Sequence, residues 1–464
     1  MATNYLNRTP GTPTSEKKFT MSCWIKVNDT AGSIGLFAEY QSGGAGTNGI
    51  MFFINATSHL EFYATNGGSS AARFVSNRKL RDPSAWMHLV CQVDTTDSTA
   101  TDRIKFWVNG TRETSLSTES APGQNINLNG RDGTGVQLFG TLDNSSYDCK
   151  ADIAHVHFVD GSIVAPTVFA ETDSTSGIWK PIVDPTGSIT YGTNGYFLKF
   201  ENSANMGVDS KPSGASNFTV NGTIRKNEDT PSNNFATGNP LYFTDAQWTT
   251  SLSIGNNTFT GHTGTNSYPL VASTIAAPAS GKFYAEFKAT SSSQNYYVGV
   301  ATPESVSGTA IGAHYPNWNS EGGSDGHAYS YYGADGQKYV KTSGGSTTAS
   351  AYGSASSQND IIGVALDLDN NKLYIHKNGT YFDSGDPTSG STGTGAISVI
   401  NHEYLFFMSD GGGGSDASGA ANFGNGYFGT TAISSEGTNA SGNGKFEYDV
   451  PTGYTALSTK GLDT

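Results

Sequence analysis

Residues 104–111 read Ile-Lys-Phe-Trp-Val-Asn-Gly-Thr, and residues 373–380 read Leu-Tyr-Ile-His-Lys-Asn-Gly-Thr. Each stretch alternates like a β-strand and runs into Asn-Gly. That dipeptide suits a type I′ hairpin, because both turn residues need positive φ. Each follows an earlier strand ending in acidic residues, Leu89 to Asp94 in the first case and Ile361 to Asp369 in the second. One supersecondary pattern occurring twice predicts two β-sandwich domains of related architecture, a class that mostly binds surfaces.

Composition agrees with an all-β chain. Of 464 residues, 58 are Gly, charged residues are 14% and aromatics reach 11%. A disordered chain would lack those aromatics. Few windows carry apolar residues at helical spacing, so many short strands joined by polar turns are expected. Strands are predicted at 19–27, 34–40, 50–55, 59–64, 86–94, 104–109, 135–140, 151–159 and 195–201, with a short helix at 165–171. A second series follows at 281–289, 295–301, 327–333, 361–368, 372–377, 403–409 and 419–424. The expected domains are an extended N-terminal arm at 1–18, a sandwich at 19–205, a linker with an extra strand at 206–240, and a second sandwich at 241–464. The arm is expected to order against a neighbouring subunit.

Lys and Arg total 26 against 40 Asp and Glu, a net charge of −14. Phosphate binding needs a basic face, so a nucleic-acid partner is not expected. No apolar run approaches a membrane span, and the N-terminus has no apolar signal segment. A soluble protein with no membrane insertion and no Sec signal is expected. The three cysteines, Cys23, Cys91 and Cys149, form no disulfide framework. Buried free thiols are the expected state, and a Cys23–Cys91 bridge is left open by the spacing.

The first block resembles the laminin-G-like branch of the concanavalin A-like superfamily. The residues that carry this are Phe19-Thr-Met-Ser-Cys-Trp24, Trp86-Met-His-Leu-Val90 and Phe106-Trp-Val-Asn-Gly110. The second block resembles a SPRY domain, through Gly281-Lys-Phe-Tyr-Ala-Glu286, Tyr297-Val-Gly-Val-Ala301, Asp360-Ile-Ile-Gly-Val-Ala-Leu-Asp367, Lys377-Asn-Gly379 and Asn422-Phe-Gly424. Both resemblances imply concanavalin A-like jelly-roll β-sandwiches in tandem. The order of the two blocks, with Gly177-Ile-Trp-Lys-Pro181, Asp229-Thr-Pro-Ser-Asn-Asn-Phe-Ala236 and the ending around Pro451 to Leu457, is similar to virion proteins of marine bacteriophages. That resemblance implies a non-enzymatic tail fibre, head fibre or capsid decoration, assembled in the host cytoplasm. Its partners would be other virion proteins, further copies of itself, and a glycan or protein on the host surface. The alternative is a glycan-processing enzyme or a cellular adhesin of the same superfamily.

An enzyme of that kind needs two carboxylates about 5–9 Å apart across a cleft. Glu286 has no acidic neighbour at two-residue spacing, and Asp367 and Asp369 precede an Asn-rich turn. No enzymatic activity is expected. His155 and His157 share a strand face, but without a third ligand they read as a solvated face. Asp94, Asp97 and Asp102 cluster before the first Asn-Gly hairpin, with Asp143, Asp148 and Asp152 further along. The resemblance to laminin-G domains implies calcium at a sandwich rim; the competing reading is that Asp is simply a good turn residue. No other cofactor is expected. The best ligand loop is 313–320 with the following 326–332. Tyr315, Trp318 and Tyr331 supply flat apolar faces, and Asn317, Asn319 and Asp325 supply directional hydrogen bonds, as sugars and peptides require.

Overall fold

The computed structural model describes residues 4–29, 32–41, 44–143, 147–240, 251–260, 270–306, 326–343, 347–411 and 417–463. Of the described residues 43% are strand and 6% helix, and the chain divides into two compact units, residues 1–226 and 227–464. Among the described residues no helix is long and apolar enough to cross a membrane.

The first unit packs an eight-stranded sheet on a six-stranded one. In the six-stranded sheet Lys18–Val27 lies between Ala151–Asp160 and Met87–Asp94, and Ile104–Val108 and Thr111–Glu113 follow at the edge. Phe19, Met21, Cys23 and Ile25 alternate into the core with Leu89, Cys91 and Val93, facing Phe52, Phe62 and Phe74 of the larger sheet. Each such phenyl or aliphatic side chain contributes about 1.5–3 kcal/mol by leaving water. Cys91 lies opposite Met21, and Cys23 opposite Leu89; all three cysteines are free.

Residues 1–18 were expected as an extended arm, yet Tyr5–Arg8 is a strand within the eight-stranded sheet. It pairs with Val136–Phe139 on one side and Thr219–Asn221 on the other. Buried charge explains the difference. The Arg8 guanidinium donates to Gln137 Oε1 at 2.8 Å and to the carbonyls of Ser216 and Asn194. Arg131, wholly enclosed, bonds Glu39 at 3.0 Å and Asp160 at 2.7 Å and lies over the rings of Phe19 and Phe158. Asp160 in turn accepts from the backbone N–H of Thr14 and Asn194. Buried charges are tolerated only when paired in this way, and here the pairing fixes residues 8–15 against their own domain.

The second unit repeats the plan. Its six-stranded sheet runs Leu270–Ala272, Leu405–Asp410, Tyr296–Ala301, Ala328–Tyr332, Gln337–Lys341 and Thr348–Ala351. The opposing sheet is centred on Lys282–Ala289, flanked by Ile361–Asp367 and Ser418–Asn422, with Lys372–Lys377 beyond. Thr455–Ala456 adds a short parallel pairing to Lys282–Ala289. The expected ladder of strands is present in both units. Strands without a clean apolar alternation, such as Ser69–Lys79 and Gln337–Lys341, are mostly polar and held by pairing with their neighbours.

Candidate functional site

Tyr315, Asn317, Trp318, Asn319 and Asp325 lie outside the described residues. Tyr331 is described, and it corrects the expectation. Its ring is fully buried, stacks on Phe382 at 5.0 Å, and its hydroxyl donates to the Ser354 carbonyl at 2.8 Å. It belongs to the core, so no face is open to a ligand.

The adjacent residue has the opposite fate. Side chains alternate along a strand, so Tyr332 points to the outer face of the six-stranded sheet. It stacks on Tyr297 with centroids 4.4 Å apart, and Tyr339 meets both rings edge-on at 5.2 and 5.6 Å. Tyr297 is buried, whereas Tyr332 and Tyr339 are half-buried. The cluster forms because Tyr297 and Tyr332 are direct cross-strand partners, while Tyr339 comes from the next strand, opposite Ser330. Tyr332 donates its hydroxyl to Asn295 Oδ1 and Tyr339 donates to Asp335 Oδ2 at 3.3 Å. Burial and the nearby Asp335 carboxylate push both phenols above their ordinary range, so they remain protonated donors. Flat ring faces beside amide and carboxylate acceptors are what a sugar or an extended peptide engages.

Two other constellations look like acid–base machinery and are structural. In the first unit Ser22 Oγ lies 2.8 Å from His88 Nε2. The indole N–H of Trp179 donates to His88 Nδ1 at 3.2 Å. An indole nitrogen is a donor only, so the proton of neutral His88 sits on Nε2 and is given to Ser22. The imidazole therefore has no lone pair with which to activate that hydroxyl. Burial lowers its pKa to about 3. In the second unit Glu286 is enclosed, accepting from the backbone N–H of Glu447 at 2.9 Å and Tyr448 at 2.8 Å and from Tyr284 Oη at 3.0 Å. His376 Nδ1 accepts from Gly379 N–H, which leaves Nε2–H to donate to Tyr284. The two N–H groups and Tyr284 Oη each donate a hydrogen bond to the carboxylate, while burial pushes its pKa up to about 7. Asp367, likewise buried, pairs with Lys282 at 2.9 Å and closes the turn to Asn370.

The aspartates proposed for calcium are brought together, but with cations between them. Asp94 pairs with Lys18 at 3.0 Å, Lys105 lies 3.9 Å from Asp97 and 3.7 Å from Asp102, and Asp102 also binds Arg112. Asp94 and Asp97 spend a second oxygen on the turns to Thr96 and Thr99. This donor set does not fit a divalent cation, and among the described residues no group of three or more metal-ligating side chains occurs. His155 and His157 also depart from expectation. A bulge separates them from the regular register, and His155 takes φ 44°. His157 is buried against Phe197 at 4.0 Å, with Nδ1 on Tyr191 Oη at 2.9 Å, instead of forming a solvated face.

Residues 2–169 match the family model described as the concanavalin A-like lectin/glucanases superfamily, and residues 282–391 match that of the SPRY domain. No curated protein matches the sequence. Among solved structures, the SPRY domain of human HERC1 aligns at 14% identity over 40% of this chain and 96% of its own, with a TM-score of 0.27. The heptameric SAP-like pentraxin from Limulus polyphemus aligns at 12% identity, covering 35% of this chain and 72% of its own, with a TM-score of 0.27. The CBM40 of the Ruminococcus gnavus IT-sialidase, bound to α2,3-sialyllactose, aligns at 14% identity over 30% and 71%, with a TM-score of 0.22.

Proposed function

We propose that this chain, a laminin-G-like concanavalin A-type domain followed by a SPRY domain, is a non-enzymatic virion protein of a bacteriophage that attaches to a surface by binding a glycan or a protein. Tail fibre, head fibre and capsid decoration are the positions this reading admits. The observation that carries the binding part is the outward tyrosine cluster of Tyr297, Tyr332 and Tyr339, with its acceptors Asn295 and Asp335. The virion part is supported by the order of the two domains and their connecting motifs, which are similar to those of marine phage particles. The non-enzymatic part is supported by Ser22, His88 and Glu286, whose hydrogen bonds are committed to structure. The reading requires no cofactor.

The test has two arms. Purified chain is incubated with host surface extract, and both retained protein and released reducing ends are measured. Retention without release supports the reading, and release would move the chain to the glycan-processing class. Gold-labelled antibody against the chain, imaged on intact particles, should decorate one discrete position. Unlabelled particles would remove the virion assignment.

A further inference from the structure

The sheet edges are guarded unequally. In the first unit Thr111–Glu113 carries Arg112 and Glu113, and Leu116–Ser120 carries Glu119. Charges on an edge strand discourage a second strand from adding to it. Thr348–Ala351, at the end of the second unit's six-stranded sheet, has no such guard. All four of its residues are exposed. Among the described residues its one strand partner is Gln337–Lys341, which pairs Val340 with Thr348 and Gln337 with Ala351 in unbroken register. Among the described residues no strand pairs with the other side of it.

The surrounding sequence favours one occupant. Residues 342–359 contain no charged side chain and no proline, in a chain of net charge −14. Two copies of so acidic a protein repel each other over most of their surfaces. The edge strand itself adds no charge to that repulsion; the nearest charges are Lys338 and Lys341 on the neighbouring strand, on the side away from the open edge. Thr-Ala-Ser-Ala is also small and uncharged read in either direction, so an antiparallel pairing with itself places no like charges and no bulky groups opposite one another. We infer that Thr348–Ala351 pairs antiparallel with the same strand of a second copy, joining two six-stranded sheets about a two-fold axis. Each ladder bond replaces a bond to water and gains little alone, so the dimer is weak in dilute solution and strengthens with local concentration.

Sedimentation velocity of the full chain over a concentration series tests this. The expected result is a monomer–dimer equilibrium whose dissociation constant rises at least tenfold in Ala349→Lys, with unchanged circular dichroism and melting temperature. An equimolar mixture of Ala349→Lys and Ala349→Asp should restore the dimer, because opposite charges then meet across the axis. A chain that stays monomeric throughout the series would overturn the inference. So would an oligomer that Ala349→Lys leaves intact, or a mixture that fails to restore association.

Discussion

The two Asn-Gly hairpins are built from the same bonds and serve different surroundings. Asn109 takes φ 49° and Gly110 74°; Asn378 takes 50° and Gly379 81°. Asn109 Oδ1 accepts from His88 N at 2.8 Å and its own N–H donates to His88 O. Asn378 does the same with Ile361, at 2.9 Å for the side-chain bond. An aromatic ring then covers each glycine, Trp179 over Gly110 and Tyr448 over Gly379. Beyond the hairpin the units diverge. In the first, the buried histidine ends in a neutral pair, accepting a hydrogen bond from Trp179 and donating one to Ser22. In the second, it feeds through Tyr284 to a carboxylate that holds the backbone of Glu447 and Tyr448. The comparison separates what the sandwich needs, a positive-φ turn with its side-chain bond, from what each unit adds to hold a late segment of chain.

The largest expected effect breaks the comparison on one side. Glu286→Ala leaves the N–H groups of Glu447 and Tyr448 without their acceptor and should destabilise the second unit by about 3–5 kcal/mol. Hydrogen exchange on the full chain should show that loss confined to residues 227–464. Equal loss in both units would mean that the carboxylate holds more than its own domain.

Acidification should separate the units next. His88 is depressed to about 3 by burial, and His157 lies well below its ordinary value for the same reason. The unfolded chain therefore binds protons below pH 6.5 that the folded first unit refuses. Stability is fully present above that pH and falls as acid is added, by about 2–4 kcal/mol between pH 6.5 and 5. In the second unit His376, depressed to about 3, acts in the same sense. Glu286 acts in the opposite sense. Its folded pKa of about 7 exceeds the ordinary 4.5, so its contribution is present below pH 4.5 and lost as pH rises through 7. The two offset each other, and the second unit should change little over the window in which the first weakens. Parallel loss in hydrogen-exchange protection would contradict this assignment.

A smaller effect sharpens the likeness. Asn109→Ala removes one side-chain bond; Asn378→Ala removes its counterpart to Ile361 and an exposed one to Asp360 Oδ1 at 2.7 Å. Each places Ala at positive φ, for about 1–2 kcal/mol apiece. Their equality within about 0.5 kcal/mol, read from urea midpoints of the affected unit, would show that the hairpins are interchangeable parts. A neutral effect at either would mean that the bond seen there adds nothing.

Much of this was legible in the sequence. Asn-Gly after an aromatic strand announces its own turn, and the strand ladder of both units followed from short alternating runs. The sites were harder for definite reasons. Tyr329, Tyr331 and Tyr332 put aromatics on both faces of one strand, so alternation alone could not say which face is the core; the packing of Tyr331 on Phe382 decides it. Lys18–Val27 is buried at nine consecutive positions because a further layer covers its outer face, which hides the surroundings of His88 and His157. Arg8 finds its partners at 137, 194 and 216, contacts that no local pattern encodes.

On the proposed reading the outer tyrosine face binds, while its neighbour in the same strand only packs. Tyr332→Ala and Tyr331→Ala, each assayed for melting temperature and for retention on host surface extract, test that claim directly. Tyr332→Ala should keep its melting temperature within a few degrees and lose about 1–3 kcal/mol of binding. Tyr331→Ala should lose about 3–5 kcal/mol of stability. Unchanged binding in a folded Tyr332→Ala protein would contradict the assignment of the site.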